Sequence, residues 1–298
     1  MTASLDFDGW MKKVQSTMED ALASFLPPQT QAPQRLHQAM RYAALDGGKR
    51  VRPLLVFAAG ALFDADAATL SRAAAAVEMI HAYSLVHDDM PCMDDDALRR
   101  GKPTVHVKYD EATALLVGDA LQAQAFVVLS EGESADPARR LAMLRLLATA
   151  SGSLGMCGGQ AIDLESVGIA LSLGELEQMH RLKTGALLRA SVLLGALSGK
   201  MLEEAESAAL DAYSSAIGLA FQVVDDVLDA TADSATLGKT AGKDAADNKP
   251  TYVSILGLEQ SRELAEKLRN DAHAALIPFG EKARRLRELA DLIVQRKA

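Results

Sequence analysis

The stretch AVEMIHAYSLVHDDMPCMDDD, residues 76–96, joins an apolar helical pattern to a dense acidic group. Pro91 predicts the end of the helix, because proline lacks an N–H and its ring clashes with the carbonyl four residues earlier. Five of the nine residues 88–96 are aspartates, and they would lie at the negative end of the helix dipole. An apolar helix that ends in so many carboxylates predicts a bound cation, and oxygen ligands favour Mg²⁺ or Mn²⁺ over zinc.

Helical periodicity extends from this stretch over nearly the whole chain. Of the 298 residues, 49% are hydrophobic but only 4% are aromatic, and Ala and Leu are abundant, which favours helices over strands. The pattern predicts an all-α fold of about ten or more helices in a single domain that spans residues 1–298. Breaks between helices are expected at five glycine and proline positions, namely 27–28, 47–48, 91, 101 with 103, and 158–159, and one unbroken helix is predicted over about 252–275.

Charge and cysteine content exclude several function classes. The net charge of −9 provides no basic field for nucleic acid, so an anionic ligand needs local cations or metal ions. Two cysteines without metal-ligand spacing indicate neither zinc nor disulfides. The N-terminal residues MTASLDFDGWMKK lack an apolar core and are not expected to form a signal peptide, and charges such as Asp119 interrupt the apolar runs. We therefore expect a cytoplasmic protein without a membrane span.

A second acidic group, FQVVDDVLDA at residues 221–230, repeats the first theme. Asp225 and Asp229 are four residues apart on a helix, so they share a face with Gln222 and would repel one another without a counter-ion. Their neighbours are apolar on nearly every side, which is unusual for a surface helix. Two such groups that face one another would hold two or three Mg²⁺ ions and, through them, a polyphosphate.

Basic residues cluster at several points along the chain. They occur in DGGKRVRP (46–53), ALRRGKPTVH (97–106), HRLKTGALLRA (180–190) and the weakly apolar segment 231–250. Arginine forks bind phosphate bidentately, and the start of a helix flanked by Lys and Arg is a favourable anion site. Together with the aspartates, these residues predict two anion sites, one bound through metal and one bound directly. For the segment 231–250 two interpretations are open: a solvated loop, or a mobile lid whose lysines meet an anion.

At this point the sequence resembles the trans-isoprenyl diphosphate synthase family, and its motifs are most similar to those of the bacterial farnesyl diphosphate synthases. Six motifs carry the resemblance in order: DGGKRVRP, HAYSLVHDDMPCMDDDALRRGKPTVH, GMCGGQAIDL, HRLKTGALLRA, GLAFQVVDDVLD and GK..GKD....K.TY. The family implies an all-α bundle around a central cavity, usually as a homodimer. It condenses isopentenyl diphosphate with dimethylallyl or geranyl diphosphate in a Mg²⁺-dependent reaction, with Mn²⁺ as a possible substitute.

The resemblance also implies site residues. It makes Asp88 and Asp94 metal ligands with Asp89 in support, and adds Asp225 and Asp229 from the second group. It places further side chains on the substrates: Arg99, Lys183, Thr184, Gln222 and Lys239 on the allylic diphosphate, and Lys49, Arg52, His81 and Arg100 on isopentenyl diphosphate. Lys183, Thr184, Gln222 and Lys239 are the catalytic residues that it implies.

Product length depends on Tyr83, five residues before Asp88 and about 7.5 Å away along the helix axis. In the family, a bulky residue here forms part of the pocket floor, which predicts a fifteen-carbon product; the alternative is that Tyr83 is simply packed core.

A geranylgeranyl diphosphate synthase is the main competing function. A terpene cyclase, a catalytically inactive regulatory subunit and a plain metal-binding bundle fit the paired cation and aspartate groups less well.

Overall fold

A computed structural model describes residues 6–45, 47–132, 136–231 and 250–296. The regular structure is almost entirely helical, which confirms the all-α prediction. The chain divides into two compact units, residues 1–144 with 194–200, and residues 145–193 with 201–298. We call them the first and the second unit. That the whole chain forms one domain around a central cavity stays a prediction.

The first unit is built around the helix α4 (Ala67–Asp88), which is buried on nearly all sides between residues 73 and 80. The side chain of Asp66 starts this helix by accepting hydrogen bonds from the amides of Ala68 and Thr69. A two-residue antiparallel ribbon pairs Leu98 with Pro103. The elements of this unit are α1 (Phe7–Phe25), α2 (Gln34–Ala44), α3 (Val51–Gly60), α4 (Ala67–Asp88), β1 (Leu98–Arg99), β2 (Lys102–Pro103), α5 (Val105–Lys108), α6 (Glu111–Ser130) and the start of α7 (Pro137–Ser151).

The second unit packs α11 (Glu204–Thr231) against α13 (Leu258–Ala275), and the packing leaves side chains such as Val223 and Tyr252 almost inaccessible. A π-helical turn, Arg181–Gly185, interrupts the path from α9 to α10 without ending it. The elements are α8 (Met156–Glu165), α9 (Leu173–His180), α10 (Ala186–Gly199, whose last turns belong to the first unit), α11 (Glu204–Thr231), α12 (Tyr252–Leu256), α13 (Leu258–Ala275) and α14 (Arg284–Gln295).

Two glycine positions differ from the sequence-based expectation. Gly158 and Gly159 lie inside α8 and do not break a helix there. A Cβ atom on Gly159 would overlap the backbone nitrogen of Lys183, so glycine is required here for close packing and not for a turn. Conversely, Gly257 divides the predicted helix 252–275 in two, because its φ of +84° lies in a region that glycine tolerates.

Length and composition alone make two stretches candidates for crossing a membrane. They are Glu111–Ser130 and Pro137–Glu165. In an apolar 18-residue window of each stretch, 44% and 33% respectively is buried within the protein. A buried core helix passes the same test, so this is weak evidence for a span. The predicted absence of a membrane span therefore stays a prediction.

Candidate active-site residues

The first aspartate group folds into a compact turn at the end of α4. The helix ends at Asp88, as Pro91 predicts, and the amide of Asp94 then donates to the carbonyl of Asp88 at 2.8 Å. A second bond joins the amide of Asp96 to the carbonyl of Asp89 at 3.2 Å. The four residues between Asp89 and Asp94 therefore close a loop, and this loop returns Asp94 to the side of Asp88.

Asp89 is engaged with a cation of its own unit. Nε of Arg99 donates to both carboxylate oxygens of Asp89, at 2.8 and 2.9 Å, and Nη2 donates to Oδ1 at 2.6 Å. Asp89 is buried, and burial raises the pKa of this carboxyl although Arg99 acts in the opposite direction. The structure thus shows Asp89 orienting Arg99, whereas its supporting part in a metal site stays a prediction.

His81 lies in the field of several arginines of the first unit. Burial lowers the pKa of His81 well below 6.5, and the positive charges of Arg52 and Arg100 lower it further. The imidazole is therefore neutral at physiological pH and can donate a hydrogen bond without adding charge. The guanidinium of Arg100 lies against Gly48, where a Cβ atom would come within 2.7 Å of it.

Lys49 and Tyr83, the other predicted substrate contacts of this unit, lie in different environments. Lys49 is exposed, and its carbonyl accepts a hydrogen bond from Nε2 of Gln15 at 3.1 Å. Tyr83 is 5% exposed and meets the ring of His87 edge-on, with the two centroids 5.8 Å apart. A buried Tyr83 is compatible both with a pocket floor and with packed core, so its role stays a prediction.

The second unit brings three of the predicted catalytic side chains together around the π-helical turn. Nζ of Lys183 donates to Oδ2 of Asp163 at 2.6 Å. Oγ1 of Thr184 donates to Oε1 of Gln222 at 3.3 Å, and Nε2 of Gln222 donates to Oδ1 of Asp226 at 3.1 Å. The backbone amide of Tyr252 donates to the other oxygen of Asp226 at 2.8 Å. π-Bulges recur at functional sites, and this one carries Lys183 and Thr184.

A cleft in the second unit opens onto this network. His180 lies at its wall with both ring nitrogens buried, and neither nitrogen has a hydrogen-bond partner among the described residues. Its ring stacks on Tyr252, with the centroids 5.6 Å apart. The pKa of His180 is lowered to about 4, chiefly by burial, while the charge of Asp163 opposes the shift and that of Lys183 adds to it. The cleft is lined by Asp163, Met179, His180, Lys183, Gln222, Asp226, Pro250 and Thr251.

Asp225 and Asp229 lie one turn apart on α11. Nη2 of Arg296 donates to Oδ1 of Asp225 at 2.7 Å and to the carbonyl of Phe221 at 2.7 Å. The guanidinium also lies over the ring of Phe221, 3.9 Å from its centroid. Asp225 thus already has a cationic partner, and Asp229 is buried at 7% exposure.

The predicted lid residue Lys239 lies outside the described residues, as do Lys243 and Lys249. Several residues that the structure adds to the site were not predicted as site residues: Asp163, His180, Asp226 and Arg296. The motif GMCGGQAIDL contained Asp163 and could have indicated it. No local sequence pattern indicates the role of Arg296, because its contact with Asp225 of α11 joins residues more than 70 positions apart in the sequence.

The donor atoms available for a metal are carboxylate oxygens, and such oxygens fit Mg²⁺ or Mn²⁺. Asp88 and Asp94 are neighbours in the fold, because the amide of Asp94 donates a hydrogen bond to the carbonyl of Asp88. Within the parts of the chain that the structure describes, no group of three or more His, Cys, Asp or Glu side chains is arranged to hold a metal ion. The predicted ligation by these aspartates therefore stays a prediction.

Comparison with known proteins decides the family. The model of the polyprenyl synthetase family matches residues 33–276, which is most of the chain. The chain belongs to the polyprenyl synthetase family. This membership confirms the resemblance that the six motifs carry.

Individual members of this family match nearly from end to end. The farnesyl diphosphate synthase of Escherichia coli is 48% identical over 297 residues, which cover 98% of this chain and 99% of the relative. The crystal structure of an FPP/GFPP synthase from Zymomonas mobilis matches with a TM-score of 0.86 at 45% identity and covers 97% of this chain and 98% of that one. A geranyltransferase from Helicobacter pylori, complexed with magnesium and isoprenyl diphosphate, matches with a TM-score of 0.84 at 32% identity over 98% of each chain.

Proposed function

We propose that this protein is a prenyltransferase that condenses isopentenyl diphosphate with dimethylallyl or geranyl diphosphate to give (2E,6E)-farnesyl diphosphate. The observation that carries the proposal is the 48% identity to a farnesyl diphosphate synthase over 98% of the chain. The hydrogen bonds of Lys183 to Asp163 and of Thr184 to Gln222, and the turn that brings Asp94 beside Asp88, support it independently.

The reaction begins when the bond between C1 and the diphosphate oxygen of the allylic substrate breaks. The electron pair leaves with the diphosphate, and an allylic cation remains. The double bond of isopentenyl diphosphate then supplies the electron pair for the new carbon–carbon bond, and the resulting cation loses a proton. The departed diphosphate is the base that takes this proton.

Asp88, Asp94, Asp225 and Asp229, with Asp89 in support, would hold two to three Mg²⁺ ions, which when bound supply positive charge to the departing diphosphate. The magnesium in the Helicobacter pylori relative supports this assignment. Lys183 and Arg99 add fixed positive charge, and each is oriented by a buried carboxylate, Asp163 and Asp89 respectively. Preorganised charges of this kind stabilise the transition state more than the bound substrate.

Isopentenyl diphosphate is held by the cations of the first unit. Lys49, Arg52 and Arg100 bind its diphosphate, and neutral His81 donates a hydrogen bond. Because this site needs no metal, it distinguishes a condensing enzyme from a cyclase, which has only one diphosphate to bind. Lys239 completes the allylic side. We propose further that the protein is a cytoplasmic homodimer, like the bacterial enzymes that its motifs resemble.

The test is product analysis of the purified protein. It is incubated with Mg²⁺, isopentenyl diphosphate and either dimethylallyl or geranyl diphosphate, and the products are dephosphorylated and sized by chromatography. A Mg²⁺-dependent fifteen-carbon alcohol supports the proposal. A twenty-carbon alcohol would show a geranylgeranyl diphosphate synthase, a cyclic hydrocarbon would show a cyclase, and lack of turnover would favour a regulatory subunit.

Product length is tested at Tyr83. Replacement of Tyr83 by Ala removes most of a buried ring and is expected to give products longer than fifteen carbons, whereas Tyr83→Phe keeps the ring and the product length. Both variants are assayed by the same chromatography. An unchanged product from Tyr83→Ala would contradict the assignment of Tyr83 as the floor.

A further inference from the structure

Arg50 is buried, whereas its sequence neighbour Lys49 is exposed. In DGGKRVRP it stands between Lys49 and Arg52, yet it is only 5% exposed. Nη1 donates to Oε1 of Glu78 at 2.6 Å. Nε and Nη2 donate to Oε1 of Glu19 at 3.0 and 2.5 Å. The buried side chain of Arg50 thus donates to two carboxylates of its own unit, and we call these contacts the clamp.

The backbone at Arg50 is strained and held in place by this clamp. Its φ of +53° is left-handed, which is unfavourable for a residue with a Cβ atom, and it forms the N-cap of α3 without a side-chain capping bond. Nη2 also donates to the carbonyl of Ala44 at 2.8 Å. This bond ties residue 50 to the last residue of α2, and so closes the strap, which we define as residues 47–50.

Glu78 connects the clamp to the helix of the site. It is 3% exposed on α4 and lies one turn before His81. The strap in turn borders Arg100, whose guanidinium packs on Gly48. The strap therefore contacts α4 through Arg50 and Glu78, and it contacts Arg100, in the turn between β1 and β2, through Gly48.

We propose that Arg50 and Glu78 are positioning residues for isopentenyl diphosphate: their buried ion pair holds the strap so that Lys49, Arg52 and Arg100 converge on one diphosphate. The inference rests on the proposed function, because it assigns that substrate to these cations. Glu78 also offsets one of the positive charges that are crowded together here and would otherwise repel one another.

Stability alone does not require a charged pair at this position. Removing a buried carboxylate and a buried guanidinium from water is unfavourable for both ions, and apolar replacement of such pairs is often neutral or stabilising. Breaking the pair by changing one partner leaves an unpaired buried charge and destabilises the fold. A double apolar replacement therefore separates positioning from stability.

The experiment compares Glu78→Gln, Arg50→Lys and the double variant Arg50→Met/Glu78→Leu with the wild type. Binding of isopentenyl diphosphate is measured by calorimetry in EDTA, steady-state constants are measured for each substrate, and thermal unfolding is followed without ligands. We expect a rise of about tenfold or more in Kd and KM for isopentenyl diphosphate in all three variants, with the allylic KM within about twofold of wild type. In the double variant, the melting temperature recovers while the Kd does not.

Glu131→Gln is the control, because Glu131 forms an exposed ion pair with Arg72 in the same unit and is expected to leave every constant unchanged. Recovery of both melting temperature and Kd in the double variant would overturn the proposal, because the pair would then serve stability alone. Wild-type constants in Glu78→Gln would overturn it as well. Lack of turnover by the wild type would instead count against the proposed function.

Discussion

At the scale of single residues, the candidate site is organised by buried carboxylates that hold cations. Asp163 holds Lys183, Asp89 holds Arg99, and Glu78 holds Arg50. In each pair the carboxylate is at most 9% exposed, so a flexible basic side chain is fixed by a partner that cannot move far. Long side chains lose considerable rotamer entropy when they bind a ligand, and prior fixation reduces this cost.

The pair of Asp163 and Lys183 gives a direct prediction. Asp163→Asn removes the charge that fixes the ammonium, and we expect kcat/KM for the allylic substrate to fall about 10- to 100-fold, because small misplacements of a catalytic group have effects of this size. Glu165→Gln is the matched control, since Glu165 is an exposed acid on the same helix. Steady-state kinetics check both variants, and equal constants would contradict the role given to Asp163.

The lowered pKa of His180 predicts how the stability of the fold depends on pH. Its pKa is lowered to about 4 by burial, so between this value and 6.5 the unfolded chain binds more protons than the folded one. Stability that is present above pH 6.5 is therefore lost as the pH falls towards 4. We expect His180 to account for about 2 kcal/mol of the loss between pH 7 and pH 5.

Urea unfolding of His180→Phe at both pH values measures this contribution. Phenylalanine keeps the stacking on Tyr252, and it sacrifices no hydrogen bond to the described residues because neither ring nitrogen makes one. The titratable groups around the ring, Asp163, Lys183 and Tyr252, are unchanged in the variant. An acid-induced loss equal to that of the wild type would show that His180 is not the responsible group.

At the scale of elements, α8 approaches the π-helical turn so closely that only glycine fits at position 159. Gly159→Ala places a methyl group on the backbone of Lys183, and overpacking of this kind costs about 1–3 kcal/mol. We expect a lower melting temperature together with weaker binding of the allylic substrate, because the same turn carries Lys183 and Thr184.

Gly174→Ala is the matched control for this prediction. Position 174 lies in α9, and a Cβ atom there would meet nothing within 4 Å. Because Ala is a better helix former than Gly by up to about 1 kcal/mol, the control is expected to be neutral or slightly stabilising. If both variants behaved alike in thermal unfolding, close packing at Gly159 would not be the reason for its glycine.

At the scale of the whole molecule, a chain of net charge −9 is expected to bind two diphosphates. In the proposed function the two sites bind their diphosphates differently: one would do so through direct contact with Lys and Arg, and the other through aspartates that need a divalent cation. We expect EDTA to abolish turnover while calorimetry still detects isopentenyl diphosphate binding, and added Mg²⁺ to restore turnover. Loss of isopentenyl diphosphate binding in EDTA would contradict the direct site.

Sequence analysis predicted much of the fold because the signals are local. Helical periodicity and the proline at 91 act within a few residues of where they occur, and α4 ends at Asp88 as expected. The glycine pair at 158–159 was misinterpreted for a physical reason: glycine serves both turns and close contacts, and only the contacting element distinguishes these uses. Gly257 shows the opposite error: the periodicity predicted one helix over 252–275, but this glycine divides the segment into two helices.

The sequence by itself determined the all-α class, the family, and the residue types that carry the chemistry, because periodicity and motif composition depend on neighbours along the chain. Tertiary structure alone decided which cations face inward and which partners hold them. In the sequence, Arg50 cannot be distinguished from the neighbouring cations Lys49 and Arg52, but in the fold it pairs with Glu78 of α4. Likewise, Asp225 has no evident partner in the sequence, but in the fold it pairs with Arg296, which follows α14. Pairings over such separations arise from helix packing, which no local pattern encodes.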